Sequence, residues 1–467
     1  MNGAAKDKAG AFAYQGVYRY LLRLIDGIEP GARTKLPSLR ALGRTLDVSV
    51  STVQAAYGML EAEGRIEPIA KSGYYARGST VFGPALASPD LLQRVLAGAC
   101  QSDMDVFGRA APAPRADALK ALLRFEVELA RRYPAGLCGV VQPCGELELR
   151  HAVATRYTRC LNDHWCADDV YIGSDLLNVL HMAWNAMQLQ GAVVVVLVPC
   201  CWRILRTLQQ AGARVVELAL DAQGRVPLQR LQEVLAGQQV RLMVLGASFH
   251  APHGTCIDDA DKRTIASLLD RHGVWVAEDD TEGDLCFHGA LRFRDLVAPQ
   301  RLLIFGSLHH LVGAEAPFAY LLSRHWQVRL QQYCLQRTTV APPLRHKVLA
   351  RFISGGSYDD CLGLQREALQ RQVSAFTTVL HARLHERLQL ASTAGGACVW
   401  ARSRVPVDMR SVFEDLRRQR LLIAPGGIFS LQGHCHQHLR LNGSGHSTEQ
   451  WERCATALSA ALEAHGV

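Results

Sequence analysis

Short apolar runs rich in β-branched residues alternate with helical stretches through most of the chain. The runs lie at 193–198, 215–218, 240–245, 274–277 and 302–305, and the first helical stretches are Leu119–Arg132 and Glu146–Cys160. Apolar runs of this length without polar alternation are typical of strands buried on both faces. Strands that alternate with helices predict an α/β fold with a mainly parallel sheet.

The length and composition indicate more than one domain. A chain of 467 residues is too long for one ordinary core, and a hydrophobic content of 49% supports a large one. The net charge of +8 and the pI of 8.8 permit nucleic-acid binding without requiring it. Binding to DNA depends instead on a local basic surface.

The cysteines and apolar runs predict a cytoplasmic protein. Fourteen cysteines are scattered without a C-x-x-C pair, which favours reduced thiols over a disulfide framework. The run Ala192–Val198 is far shorter than the roughly 20 residues that span a bilayer. With no signal peptide in view, we expect a soluble protein without a membrane partner.

The first part of the chain predicts three helices. Apolar residues recur at helical spacing from Val17 to Ile25. Ser38 is a good N-cap for a second helix that runs to Leu46, and a third begins near Ser49 or Ser51. The third helix should bury Val53, Ala56, Tyr57 and Leu60.

A hairpin and a proline-rich stretch follow the helices. The pattern from Arg65 to Tyr75, with Gly73 in the turn, predicts two short strands. Three helices and a hairpin make a winged helix-turn-helix over residues 1–78. Prolines punctuate residues 79–115, which predicts a linker with one short helix at Leu91–Ala97, and a large domain then occupies 116–467.

Three motifs in the first domain resemble the GntR family of bacterial regulators. They are Leu36-Pro37-Ser38-Leu39-Arg40, Val48-Ser49-Val50-Ser51-Thr52-Val53 and Tyr57-Gly58-Met59-Leu60-Glu61-Ala62-Glu63-Gly64. The resemblance implies double-stranded operator DNA as a partner. The alternative is a small helical core with solvated arginines.

A recognition helix places its first turn in the major groove, which gives the candidate DNA contacts. Base-edge or phosphate contacts are expected from Ser49, Ser51, Thr52 and Gln54, and phosphate contacts from Arg40, Arg44 and Lys71. The GntR family usually has arginine where this chain has Val50. Valine offers only apolar contact, so we expect an atypical sequence preference.

The large domain resembles the fold-type I aminotransferases, and its pairing with a GntR-type domain points to the MocR group of regulators. The matching segments are Pro143-Cys144-Gly145-Glu146, Gly173-Ser174-Asp175, Glu278-Asp279-Asp280 and His438-Leu439-Arg440-Leu441. The resemblance implies a phosphate-binding turn at Ser174, a pyridine-nitrogen partner at Asp279 and a carboxylate clamp at Arg440. It also implies a homodimer.

The segment 305–320, FGSLHHLVGAEAPFAY, differs from the family at the positions that bind and activate the cofactor. His310 occupies the position of the lysine that forms a Schiff base with pyridoxal phosphate, and imidazole forms no stable imine. Pro317 replaces a phosphate-binding arginine, and Thr281 replaces a tyrosine. The stacking aromatic is displaced by one position, to Trp202.

These departures predict a degenerate effector pocket of Ser174, Trp202, Asp279, His310 and Arg440 that has no catalytic residue. Lys262 and Lys347, the lysines of the later part of the domain, lie in no plausible anchoring motif. We therefore expect a protein that requires no cofactor and binds pyridoxal phosphate at most weakly, without a covalent bond. Its effector would be an amino acid, another carboxylate or a vitamer.

Histidines suggest another ligand for the same pocket. His250, His253, His309 and His310, together with His434, His436 and His438, could in principle bind zinc, copper or haem. The spacing is of low specificity, and solvated or structural histidines are the simpler interpretation. We therefore predict no metal site.

The sequence as a whole predicts a DNA-binding transcriptional regulator whose aminotransferase-like domain dimerises and senses a small molecule without transamination. One alternative is an aminotransferase that depends on pyridoxal phosphate, or a regulator that binds this cofactor without a covalent bond. Another is a structural DNA-binding dimer that has no ligand.

Overall fold

The computed structural model describes residues 14, 16–22, 24–25, 33–62, 65–69, 72–77, 90–132, 142–161, 164–336 and 342–467. The chain forms two compact units, Met1–Cys100 and Gln101–Val467. Among the described residues, no helix is both long enough and apolar enough to cross a membrane.

Unit 1 contains the predicted helices. Its elements are α1 (14, 16–22 and 24–25), β1 (Arg33–Lys35), α2 (Leu39–Thr45), α3 (Val50–Ala62), β2 (Ile66–Ile69), β3 (Gly73–Arg77) and α4 (Leu91–Ala99). Ser38 caps α2 by accepting a hydrogen bond from the Ala41 N–H at 3.2 Å. The predicted face of α3 is buried, with Val53 and Tyr57 fully enclosed. Tyr57 also donates to the Pro37 carbonyl at 2.7 Å, which ties α3 to the start of α2.

The hairpin of unit 1 belongs to a three-stranded sheet. β2 and β3 pair antiparallel as predicted, and β1 pairs with the other edge of β3. The sequence did not reveal β1 because Arg33-Thr34-Lys35 carries no apolar residue. Lys71, predicted to contact phosphate, lies outside the described residues.

Unit 2 is built on a seven-stranded sheet of order β5-β11-β10-β9-β8-β6-β7. The strands of unit 2, in this sheet and outside it, are β4 (Asp105–Val106), β5 (Val170–Gly173), β6 (Val193–Val198), β7 (Arg214–Ala219), β8 (Val240–Gly246), β9 (Trp275–Asp280), β10 (Leu302–Ser307), β11 (Ala319–Leu322), β12 (Leu388–Leu390), β13 (Cys398–Ser403), β14 (Leu421–Leu422), β15 (Ala424–Pro425) and β16 (His438–Asn442). The five predicted runs became β6 to β10, which pair parallel to one another. Only β11 runs against its neighbours, β10 and β5.

Helices cover both faces of this sheet, as the buried strands require. They are α5 (Ala116–Arg132), α6 (Leu147–Tyr157), α7 (Leu176–Met187), α8 (Trp202–Gln210), α9 (Leu228–Gly237), α10 (Asp259–Arg271), α11 (His309–Val312), α12 (Gln327–Leu335), α13 (Pro343–Ser354), α14 (Ser357–Leu384), α15 (Met409–Arg418) and α16 (Thr448–Ala464). β6 is buried along its whole length. The mainly parallel α/β architecture predicted from the sequence is therefore confirmed.

A second, antiparallel sheet follows α14. It has the order β12-β13-β16-β15, and its registers bring Trp400 opposite Arg440 and Arg402 opposite His438. Since side chains alternate along a strand, these four residues share one face of the sheet. The sequence indicated no second sheet, because its strands are short and carry arginine and histidine within them.

The predicted linker 79–115 differs from the observed structure. Residues 101–115 belong to unit 2, where β4 pairs with β14 and the Phe107 side chain is fully buried. Asn442 Nδ2 donates to the carbonyls of Arg109 and Ala111 at 3.2 and 3.0 Å. Prolines suit this extended segment because it packs through carbonyl acceptors and side chains rather than through a continuous ladder.

We expect Phe107→Ala to destabilise unit 2 by about 3–5 kcal/mol, the usual cost of truncating a buried phenylalanine. Its ring stacks on His446 at a centroid distance of 4.0 Å and on Phe376 at 6.1 Å. Chemical denaturation of the full chain measures the change. Leu161→Ala is the control, since this side chain is 92% exposed. If Phe107→Ala is as stable as that control, residues 101–115 do not contribute to the core of unit 2 and belong to the linker.

Candidate functional site

Hydroxyl groups gather at the N-terminus of α3. Ser49 Oγ accepts from the Thr52 N–H at 3.1 Å and lies 2.8 Å from Ser51 Oγ and 2.7 Å from Thr52 Oγ1. Ser49 thus acts as the helix cap, a role beside the DNA contact predicted for it. The helix N-terminus carries partial positive charge and favours a phosphate nearby.

The other predicted DNA contacts that the structure describes in unit 1 are exposed. Gln54 on α3 is exposed, as are Arg40 and Arg44 on α2. Neither arginine forms an ion pair with a described residue, so both guanidinium groups remain available to phosphate. Val50, in the first turn of α3, is 42% exposed and adds an apolar contact surface.

Unit 2 has a small cavity where β6, β8 and β9 end, which we call the Asp279 cavity. Its lining includes Cys200, Cys201, Phe249, Asp279, Thr281 and Glu282. Parallel strands bring their carboxyl ends to one edge, where ligands of open α/β sheets bind. The enclosed volume of about 20 Å³ holds one water molecule, so a pyridine ring would enter only if side chains moved.

Asp279 is engaged by its neighbour in this cavity. Asp279 Oδ1 accepts from both the N–H and the hydroxyl of Thr281, at 3.0 and 2.6 Å. Burial raises the pKa of Asp279 to about 6, and the two bonds from Thr281 oppose that rise. The threonine that replaces the family's tyrosine therefore engages one of the two oxygens of this carboxylate.

Glu282 and Arg440 place opposite charges beside the same cavity. Burial raises the pKa of Glu282 to about 7, and the positive charge of Arg440 opposes that rise. Arg440 is buried, donates to the Gly108 carbonyl at 2.6 Å and lies over the Phe429 ring. Its Nε has no hydrogen-bond partner among the described residues. Glu282 was missed in the sequence, although it lies three residues after Asp279.

His310 lies outside the lining of the Asp279 cavity and joins a buried polar cluster. Tyr358 donates its hydroxyl to Asp284 at 3.2 Å, which leaves the Tyr358 oxygen to accept from His310 Nε2 at 3.1 Å. Asp284 is in turn paired with Arg156 at 3.0 Å. Burial lowers the pKa of His310, and the negative charge of Asp284 opposes the shift. Imidazole at this position is therefore a structural hydrogen-bond donor.

Two other predicted pocket residues also lie outside that lining. Ser174 is exposed, and the next residue, Asp175, caps α7 by accepting from the Asn178 N–H at 2.8 Å. A carboxylate already occupies the helix terminus that would hold a phosphate. Trp202 begins α8 with its ring against the Arg203 guanidinium, 4.5 Å away. Of the five residues predicted for the pocket, only Asp279 lines the cavity.

These residues do not fit a covalently held pyridoxal phosphate. His310 offers no primary amine, and its ring is bound to Tyr358. Thr281 engages Asp279, and Pro317 supplies neither a charge nor an N–H donor. The amine and the phosphate-binding guanidinium that would hold the cofactor are thus absent at positions 310 and 317, and Asp279 Oδ1 is bonded to Thr281.

The histidines separate in the structure. His250 lines the Asp279 cavity with Nε2 2.8 Å from the Pro199 carbonyl oxygen, and His309 is exposed on α11. The other four line a second cavity of about 370 Å³, which we call the histidine cavity: His253, His434, His436 and His438. No three histidine, cysteine or acidic residues in the described ranges are arranged to hold a metal ion.

Two family models match the chain. Residues 13–75 match the bacterial regulatory proteins of the gntR family, and residues 124–458 match aminotransferase class I and II. Solved structures are similar in fold. Kynurenine aminotransferase from Pyrococcus horikoshii has a TM-score of 0.73 at 17% identity and covers 82% of this chain and 96% of its own.

Relatives of nearly full length combine both parts. The uncharacterised HTH-type transcriptional regulator YjiR of Escherichia coli K12 is 25% identical over 91% of this chain and 94% of its own. The uncharacterised HTH-type regulator YdcR of the same organism is 24% identical over 94% and 97%. The chain belongs to the aminotransferase class I and II family and, with a gntR-type helix-turn-helix at its N-terminal end, is a DNA-binding transcriptional regulator of MocR type.

Proposed function

We propose that this regulator contacts its operator through the N-terminus of α3 and senses a small carboxylate beside Arg440, without catalysing transamination. The observation that carries the proposal is the internal engagement of the former cofactor groups, His310 with Tyr358 and Asp279 with Thr281. The domain retains a buried cation beside a cavity that has to open beyond about 20 Å³ to admit a ligand, while His310 and Asp279 are bonded to other residues of the chain.

DNA recognition in this proposal rests on the exposed end of α3. Ser51 and Gln54 offer hydrogen bonds to base edges or phosphates, and Val50 offers an apolar contact to a thymine methyl. Arg40 and Arg44, at the two ends of α2, supply the phosphate contacts. Phosphate contacts determine how steeply affinity falls with salt, whereas base contacts determine sequence preference.

We expect Arg44→Ala to weaken binding to the chain's own promoter and to reduce the salt slope of log K by about 0.9, the value for one lost phosphate contact. Fluorescence anisotropy at several salt concentrations measures the slope. Arg263→Ala on α10 is the matched control, because it removes the same charge from an exposed position in unit 2. An unchanged slope for Arg44→Ala would contradict the assignment.

Ligand sensing rests on the surroundings of Arg440. A buried guanidinium whose Nε has no partner among the described residues is suited to a carboxylate ligand. Its one described hydrogen bond goes to Gly108, in the segment that leads back to unit 1. A ligand that binds Arg440 competes with the Gly108 carbonyl and so acts on that segment.

Glu282 gives this sensing a pH dependence. With a pKa raised to about 7, Glu282 is mostly neutral below pH 7 and becomes a competing anion above it. Affinity for a carboxylate should therefore fall as the pH rises through 7. Glu282→Gln should remove that fall and strengthen binding about tenfold at pH 8, by calorimetry with a panel of amino acids. The other charges near Glu282, Asp279 and Arg203, are unchanged in the variant.

Two results would count against this site. If no amino acid or simple carboxylate binds the wild-type chain, the sensing proposal fails. If one binds with equal affinity to wild type and Glu282→Gln across this pH range, the ligand lies elsewhere in the chain.

The loss of catalysis is tested by restoring the lost groups. His310→Lys supplies the amine but not the phosphate contact, so we expect no tight binding of pyridoxal phosphate. His310→Lys with Pro317→Arg supplies both, and position 317 is exposed and can accept a longer side chain. The absorbance spectrum and intact mass of protein incubated with the cofactor distinguish the variants. Tight binding by the single variant would show that position 310 alone disabled the site.

The homodimer in this proposal rests on the family likeness. Two subunits would present two helix-turn-helix units to two half-sites, whose spacing a ligand could change by shifting populations. Light scattering of the full chain measures the mass. A monomer at all concentrations that support DNA binding would exclude this arrangement.

A further inference from the structure

The histidine cavity lies beside the carboxyl ends of β6 and β7 and against the second sheet. Its volume of about 370 Å³ falls in the usual range for small-molecule sites. Its wall residues include His253, Trp400, Arg402, His436 and His438. None of them belongs to the lining of the Asp279 cavity.

The loop that carries the histidines is fixed by a buried carboxylate. Glu217 on β7 accepts from the Ser430 hydroxyl at 2.6 Å and from the N–H groups of Leu431 and Gln432. Ser430 Oγ in turn accepts from the His434 N–H at 3.0 Å. These contacts hold the backbone of residues 430–434 in one conformation. This wall of the cavity therefore does not need a ligand to form.

The second sheet supplies the opposite wall. Arg402 on β13 pairs in register with His438 on β16, and Gln389 on β12 pairs with Arg402 on its other side. The Trp400 and His438 rings stack with centroids 5.4 Å apart. One amide, one guanidinium and one imidazole therefore face the cavity in a row across three neighbouring strands.

Arg402 carries the permanent positive charge of this surface. Burial lowers the pKa of His438 and that of His253 to about 4, so both imidazoles are neutral near pH 7. The acid in the lining is Asp221, whose Oδ1 accepts the N–H groups of Gln223 and Arg225 in its own turn. Arg402 forms no ion pair with another described residue. An anionic ligand would therefore complement the charge of Arg402.

We propose that the histidine cavity binds a small anion, a molecule that carries a carboxylate or phosphate group. Arg402 would supply the permanent positive charge. His436 donates Nδ1–H to the Gly433 carbonyl oxygen at 2.7 Å, so it would donate Nε2–H to the anion in its imidazolium form. A metal does not suit the cavity, because the described residues contain no suitable ligand set.

This site is separate from the carboxylate position proposed beside Arg440. Trp400 lies opposite Arg440 in the sheet, and Arg402 and His438 form the next row on the same face. Arg440 points its guanidinium over Phe429 and to Gly108, and it does not line the histidine cavity. The two proposals therefore depend on different arginines and can fail separately.

Calorimetry on the full chain tests the proposal with citrate, succinate and glycerol 3-phosphate, and with glycerol as the uncharged control. We expect at least one anion to bind and its affinity to fall about tenfold or more in Arg402→Gln, since a charge-assisted hydrogen bond is lost. His436→Gln should weaken the same anion, and this second variant alters an exposed ring that is bonded to a loop carbonyl. Comparing the affinities for citrate and succinate with the affinity for glycerol 3-phosphate shows whether the site prefers a carboxylate or a phosphate.

Arg263→Gln is the matched control, because it removes one positive charge from an exposed position outside this cavity. It should bind the anion as the wild type does. The proposal is overturned if no anion binds the wild type at concentrations up to about 1 mM. It is also overturned if Arg402→Gln and His436→Gln bind with wild-type affinity, or if only Arg440→Gln loses binding.

Discussion

The end of the central strand β9 is held by a buried ion pair on which both the sheet and the Asp279 cavity depend. Arg294 contacts Glu278 and Asp280, and all three side chains are at most 7% exposed. Asp280 also accepts from Tyr157 at 2.6 Å. Side chains alternate along a strand, so these two acids point to one side and Asp279 to the other. Removing Arg294 would leave two buried carboxylates unpaired, an arrangement that costs several kcal/mol. Glu278 and Asp280 thus fix the end of the strand, and Asp279 between them lines the cavity.

Hydrogen bonds within the chain also engage the residues that the family likeness places at the cofactor. Buried polar groups require partners, which neighbouring side chains can supply. Thr281 supplies one for Asp279, and Tyr358 supplies one for His310. His310 Nδ1, by contrast, is buried without a hydrogen-bond partner among the described residues. Thr281 and Tyr358 make reversal by a single substitution difficult, because these partners have to be displaced as well.

Sequence reasoning succeeded where a structure depends on neighbouring residues. β6 was predicted at its observed bounds because a continuous apolar run fits only a buried strand. The helix caps and the buried face of α3 followed from local pattern in the same way. β1 and the second sheet were missed because their strands are short and polar, and their pairing joins residues far apart in the chain. The segment 101–115 was assigned to a linker because its prolines hid contacts to Asn442, more than 300 positions away. Four of the five pocket residues lie outside the cavity lining for a related reason, since a motif fixes a position in the chain but not the partner of its side chain.

His434, His436 and His438 show how a linear pattern changes meaning in three dimensions. Residues spaced by two share one face of a strand, but β16 begins only at His438, so His434 and His436 lie before it. His434 lies near Glu217, His436 bonds to Gly433, and His438 stacks on Trp400. The rings therefore spread along the wall of a cavity instead of converging on one point, which suits an extended anion better than a metal ion. Arg440 stands one row away on the same sheet face and bonds to Gly108, and the chain runs from Gly108 back to unit 1.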